Sequence, residues 1–325
     1  MKFIFAFCEG PHDVAFLYKI LKTEGYKSHN KDLGEYPGPI DRFLISEAAH
    51  SSLEEVNIQS ANRRLLPIEV MRKAPDQMVF LYALGGDQRK AERLRILRFL
   101  QDSFAVSDPD AFLPGEGHTA AAIYFFDADE AGKQARYETI NDELAEVWGQ
   151  EFQLSPDAPV AGVSGLQLGG IVFTATGQPT GKLEDVLLPL MEQNNEPIFE
   201  AAQAFLDQHY DENRCRKLLR LERNNGLIRQ PLNAGFQYHN ITRYFVPLSL
   251  QLRPNAAGVM EEIRSNRTRD RLKFDRSKSI IGIVGQLQQS GKGNAPIIRD
   301  TDFIDLNKIQ GHEACQAIVA FIRML

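Results

Sequence analysis

The sequence predicts an α/β protein: a mostly parallel sheet flanked by helices, followed by a mixed, helix-rich C-terminal extension. Three observations carry this expectation. Short apolar runs of strand length alternate with amphipathic stretches of helix length, the order that builds βαβ units. The runs are apolar on both faces, as parallel strands covered from both sides must be. Each of the three strongest runs then ends in glycine and acid, where a parallel sheet opens its ligand crevice.

Taken in order, KFIFAFC (2–8) reads as a buried strand and DVAFLYKILKTEG (13–25) as an amphipathic helix closed by Gly25. Residues 26–76 read as an insertion, with Pro/Gly turns at 36–39 and a helical pattern over SSLEEVNIQSANRRL (51–65). MVFLYAL (78–84) is the second strand, stopped by Gly85-Gly86, and 87–104 is a helix carrying Arg89, Arg93, Arg95 and Arg98 as a basic face. AAAIYFFD (120–127) is the third strand and 130–149 its helix. GGIVFTAT (169–176) is a weaker strand, and GKLEDVLLPLM (181–191) starts another helix. Residues 196–224 read as largely helical, SIIGIVGQL (279–287) and PIIRDTDFID (296–305) as late strands, and the chain closes with a helix. The best boundary is EQNNE (192–196), which gives a domain over 1–195 and a basic helical/strand extension over 196–325 that packs back on the sheet.

Composition narrows the class. With 43% hydrophobic and 25% charged residues the chain has the make-up of a soluble globular protein. Cys8, Cys215 and Cys315 show no CxxC spacing, which argues against a zinc site or a disulfide framework and for a reducing compartment. The opening apolar run stops at Glu9, too short for a signal peptide or a membrane span, so the expected location is cytoplasmic, with no membrane partner. Net charge is −6, split into −13 over residues 1–200 and +7 over 201–325. An acidic front and a basic back suit a protein that holds cations and grips a polyanion.

The informative residues gather at strand ends. The first strand runs into Glu9-Gly10-Pro11-His12-Asp13, the second into Gly85-Gly86-Asp87, the third into Asp127-Ala128-Asp129-Glu130-Ala131-Gly132. Asp127 and Asp129 are two residues apart on an extended backbone, so like charges share one side and need something positive nearby. Carboxylates without a Cys/His cluster favour a hard cation, Mg²⁺ or Mn²⁺. The competing reading is a solvated strand end leading into an acidic helix N-terminus, which the helix dipole favours.

EGxxD after the first strand, Gly-Gly after the second and DxDxxG after the third resemble the TOPRIM domain, a Rossmann-like fold of topoisomerases, primases and the OLD-type nucleases. The likeness is nearest to the OLD-type nucleases and to small stand-alone prokaryotic TOPRIM proteins. It implies a catalytic domain over 1–195, with Glu9 as general acid/base or metal ligand, Asp127 and Asp129 as Mg²⁺ ligands, and Asp13 as a supporting acid. Glu184 and Asp185 in GKLEDVLLPL would supply another metal site, and Lys278 or Lys292 a catalytic lysine. The implied activity is Mg²⁺-dependent hydrolysis of nucleic-acid phosphodiesters, DNA before RNA, in mobile-element or phage defence alongside a separate ATPase. Homo-oligomerisation is left open, as is a TOPRIM scaffold that binds nucleic acid or a partner protein without cutting.

Two tail features complete the reading. RSNRTRDRLKFDRSK (264–278) holds seven Lys/Arg against two Asp. Arg264, Arg267, Arg269, Arg271, Lys273 and Arg276 are therefore the candidate phosphate-backbone contacts. The stretch GQLQQSGKGN is not a P-loop, because Gly293 stands where Ser/Thr must bind Mg²⁺. A DxD phosphatase of the haloacid-dehalogenase type is disfavoured, since its DxD normally follows the first strand.

Overall fold

β1 (Lys2–Cys8), β4 (Gln77–Ala83) and β5 (Thr119–Asp127) are the three apolar runs, and they lie side by side as parallel strands with β1 in the middle. The computed structural model describes residues 1–49, 65–86, 89–105, 117–210, 250–254, 260–264, 275–288 and 291–325. The sheet has seven strands in the order β2–β3–β4–β1–β5–β7–β6, with β2 at Lys27–Ser28, β3 at Glu69–Lys73, β6 at Val160–Val163 and β7 at Leu166–Phe173. β4, β1, β5 and β7 form its parallel centre, while β3 and β6 pair antiparallel outside them. The insertion thus contributes β2, α2 (Ile40–Ala49) and β3. Most of its expected helix at 51–65 lies outside the described residues.

Alternation along the strands divides the core into two layers. Phe3, Phe5, Phe7, Phe80, Tyr82, Tyr124 and Phe126 form one buried cluster with residues of α2, α3 (Lys90–Phe104) and α4 (Lys133–Trp148). Phe5 and Phe80 stack with ring centroids 5.0 Å apart. Each such ring contributes ~2–3 kcal/mol relative to exposure. α1 (Pro11–Thr23) covers the other face together with α8 (Asn294–Asp300) and α10 (Glu313–Met324). There Phe321 meets Phe125 edge-on at 6.1 Å. Gly169 makes room, because a Cβ at that position would stand 3.0 Å from the Phe321 ring.

β1 and β5 are neighbours, yet the helices that follow them leave on opposite faces. The crevice between their carboxyl ends is therefore the switch point of the sheet. That placement decides where the acids go.

The chain divides into two compact units, residues 1–199 with 281–325, and residues 200–280. The C-terminal 45 residues thus belong to the same unit as the sheet. The second unit contains most of α6 (Glu196–His209), the antiparallel pair β8 (Leu250–Pro254) and β9 (Met260–Arg264), and the first turn of α7 (Arg276–Gln288). Both late strands are corrected to helix. SIIGIVGQL lies within α7 and PIIRDTDFID spans α8, a turn and the approach to α9 (Leu306–Gly311). Ile280, Ile281 and Val284 are buried at a helical spacing, which a short apolar run does not distinguish from a strand. Gly285 sharpens the point: a Cβ there would come within 2.6 Å of Ile297, so two helices cross at that glycine. Among the described residues, no helix is long and apolar enough to cross a membrane.

Candidate functional site

Glu9 follows β1 directly, and its Oε1 accepts the Asp127 N–H across the switch point at 3.1 Å. The loop after β4 presses on the same residue. Leu84 N–H donates to the Cys8 carbonyl (2.8 Å) and Gly85 N–H to the Glu9 carbonyl (3.2 Å). A Cβ on Gly85 would lie 2.2 Å from the Glu9 Cα, so glycine is required for that approach. The Gly-Gly punctuation after the second strand therefore has a local cause. Asp87, the acid beyond it, lies outside the described residues.

Asp127 ends β5 and is buried, with its Oδ1 accepting the Leu183 N–H at 2.7 Å. Leu183 is the first residue of α5 (Leu183–Glu192), so this carboxylate satisfies one of the helix's unpaired donors. Asp185 satisfies another by accepting the Lys182 N–H at 2.9 Å. The same device opens α1, where Asp13 Oδ2 accepts the Gly10 N–H at 2.9 Å. Asp13 and Glu184 are both buried, and Glu184 Oε1 lies 3.1 Å from His12 Nδ1. His12 thus belongs to the acid cluster.

Asp129 takes a different position. Its φ of +50° turns the chain, and its backbone exchanges hydrogen bonds with Gly181 at 2.7 and 3.2 Å. That bridge ties the end of β5 to the entry of α5. The Asp129 side chain is 52% exposed and accepts from Arg136 Nη2 at 3.0 Å. Arg136 Nε also donates to the Asp127 carbonyl (2.9 Å), Nη2 stands 3.7 Å from Glu9 Oε1, and the guanidinium lies over the Phe126 ring at 5.8 Å. The positive group that the sequence demanded beside DxD is thus supplied by the chain itself. Sequence reasoning did not single out Arg136. The available signal was its place one helical turn after Gly132, which returns its side chain to the strand end.

Electrostatics marks out the inner acids Asp13 and Asp127. Burial, followed by the negative charge of Glu9, lifts Asp13 to about 8. Burial, then Asp13 and Glu9, lifts Asp127 to about 9. Both therefore resist ionising beside one another without a counter-charge. Asp13 Oδ1 is also buried without a hydrogen-bond partner. An all-oxygen donor set with an orphaned carboxylate oxygen fits a hard divalent cation. Among the described residues no three His, Cys, Asp or Glu side chains form a ready-made cage. One or two of these carboxylates are the residues that could hold such an ion.

Comparison with known proteins comes down to one result. No family model, no curated protein and no solved structure matches the chain.

The other expected site residues lie elsewhere. Lys292 makes its ion pair with Asp300 at 4.0 Å, beside α8, and Lys278 pairs with Asp275 at 3.8 Å. Neither pairing involves an acid of the switch point. Arg267, Arg269, Arg271 and Lys273 lie outside the described residues, as does the Arg264 side chain. Arg276 pairs with Asp207 at 2.7 Å within the second unit. Each arginine of the basic run 89–98 has an acid of the same chain beside it. Arg89 pairs with Glu92, Arg93 with Glu143, Arg95 with Glu47 and Arg98 with Glu146.

Proposed function

We propose that the protein is a Mg²⁺- or Mn²⁺-dependent nuclease of TOPRIM type, hydrolysing nucleic-acid phosphodiesters at the β1/β5 switch point. The observation that supports this most is the surplus of carboxylates there. Asp13 and Asp127 are buried together and burial beside other acids raises both carboxyls, although each already has a helix-capping bond to satisfy it. Capping alone needs no such crowding. A bound divalent ion would polarise a phosphoryl oxygen and favour attack by water. Asp127 and Asp13 are the residues to hold it, with Glu184 behind them against His12.

Glu9 is the group to orient the attacking water and take its proton. It stands where β1 meets β5, and its position is fixed by the Asp127 N–H and by the Gly85 contact. Asp129 contributes through the turn it makes, which sets Asp127 against α5. A basic segment at 264–278 provides affinity for a phosphate backbone, with DNA the first substrate to try. A separate ATPase and a role in defence against mobile elements or phage belong to the same proposal, and rest on the sequence resemblance alone.

The test is cleavage of plasmid and single-stranded substrates in Mg²⁺ or Mn²⁺. Wild type is expected to cut, and Glu9→Gln and Asp127→Asn to lose about a hundredfold or more of that rate. Cleavage that survives both changes overturns the assignment. A non-cutting TOPRIM scaffold that binds nucleic acid or a partner protein is the second reading, favoured by Arg136 already neutralising part of the cluster. Retained nucleic-acid binding without cleavage in either metal would select it.

A further inference from the structure

We propose that Arg136 is a resident counter-cation that competes with the divalent ion, so that it sets the metal affinity of the site. The inference rests on the metal-binding reading above, but concerns a residue outside the acid set that reading uses. Four contacts of one side chain carry it. Arg136 reaches the Asp127 carbonyl, the Asp129 carboxylate and the near oxygen of Glu9, and it is backed by the face of Phe126. Its side chain is only 16% exposed, so its charge is weakly screened.

Two consequences follow from Coulomb's law. A guanidinium this close to Glu9 and Asp129 lowers the negative potential that draws a cation to Asp127 and Asp13. It also turns the Asp129 side chain toward α4, which explains why the second acid of DxD is half exposed while the first is buried. Lysine would keep the charge but lose the fork that holds a carbonyl and a carboxylate together.

A merely structural arginine and a competing one predict opposite signs. If Arg136 only props the turn, its removal loosens Asp127 and weakens metal binding. If it competes, removal tightens binding. The experiment titrates Mn²⁺ alone into the full chain, read by electron paramagnetic resonance and by the Mn²⁺-dependent rise in unfolding temperature. Arg136→Gln is expected to bind Mn²⁺ about tenfold tighter than wild type, and Arg136→Lys within about threefold of it, as the loss or retention of one partly screened charge predicts. Asp127→Asn is the control and should bind poorly.

Equal or weaker Mn²⁺ binding by a folded Arg136→Gln overturns the inference while leaving the metal site intact. Absence of binding in wild type and Arg136→Gln alike overturns the metal site itself, and this inference with it. Binding detected only in Arg136→Gln supports the competition directly. Should Arg136→Gln unfold without metal, Arg136→Met offers a substitute of similar stem length, judged by the same sign.

Discussion

Two buried charge clusters lie on this sheet and solve the same problem in opposite ways. Under α3 and α4, Arg93 forks onto Glu143, donates to the carbonyls of Leu84 and Gly86, and leaves Glu143 a further bond from the Tyr124 hydroxyl. Every charge there has its opposite, and the pair anchors the loop that presses Gly85 on Glu9. At the switch point, Asp13, Asp127 and Glu184 are buried close together, with His12 beside Glu184 and Arg136 beside Glu9 and Asp129. A cluster balanced from within holds a fold together. A cluster left unbalanced asks for something from outside.

That contrast can be broken by single changes. The largest effect on stability is expected at Arg93→Met, which strands Glu143 in the core and should cost about 3–5 kcal/mol. For a unit of this size that is a fall of roughly 10 °C in unfolding temperature. The double change Arg93→Met/Glu143→Leu should recover most of it. Recovery of nothing would mean that Arg93 acts mainly through the Leu84 and Gly86 carbonyls.

The switch point should respond to pH instead. Its two acids have folded values near 8 and 9, above the ordinary carboxylate value of about 4. The stability they contribute is then complete below about pH 4 and is lost as pH rises through 8 to 9. Metal-free protein should therefore lose unfolding temperature from these groups between pH 6 and pH 9, and Asp127→Asn should lose less. Mg²⁺ should restore more at pH 9 than at pH 6, since protons compete with it at the lower pH. A wild-type slope no steeper than that of Asp127→Asn would refute the coupling.

Smaller effects grade the comparison further. Asp185→Ala removes the bond to the Lys182 N–H and should cost about 1 kcal/mol, the usual worth of a helix cap, without touching metal affinity. A matching loss of Mn²⁺ binding would make Asp185 part of the metal site after all. Arg98→Ala breaks an exposed 3.8 Å pair with Glu146 and should change stability by less than about 0.5 kcal/mol.

The sequence carried the centre of the fold because the centre is made of strong, local signals. β1, β4 and β5 are apolar through their interiors, and each leads into residues whose chemistry has a reason: Glu9, Gly85, Asp127. The edges were not legible. β3 and β6 are short antiparallel strands on the rim, and EVMRK and VAGV lack the continuous apolar character of the centre. The tail misled because SIIGIVGQL is rich in β-branched residues, and only packing against Ile297 shows that its glycine is a helix crossing. In the site, the acids announced themselves by spacing. Arg136 did not, since its place one turn after Gly132 is a weak signal beside Arg93, Arg95 and Arg98 of α3, whose acids lie elsewhere in the fold.

The return of residues 281–325 to the first unit also orders the events of synthesis. Strands β1 to β7 leave the ribosome well before α8 and α10, and α1 must wait for both. Until Phe321 reaches Phe125, the face that α1 shares with α8 and α10 is incompletely covered, while the switch-point acids already stand between completed strands. Lys19, whose ammonium group donates to the carbonyls of Thr301 and Ile304, likewise has its final partners only at the end. A nascent chain halted anywhere in 200–280 would therefore display an assembled acid cluster on a half-dressed sheet, with its exposed face the natural target for chaperones or for aggregation.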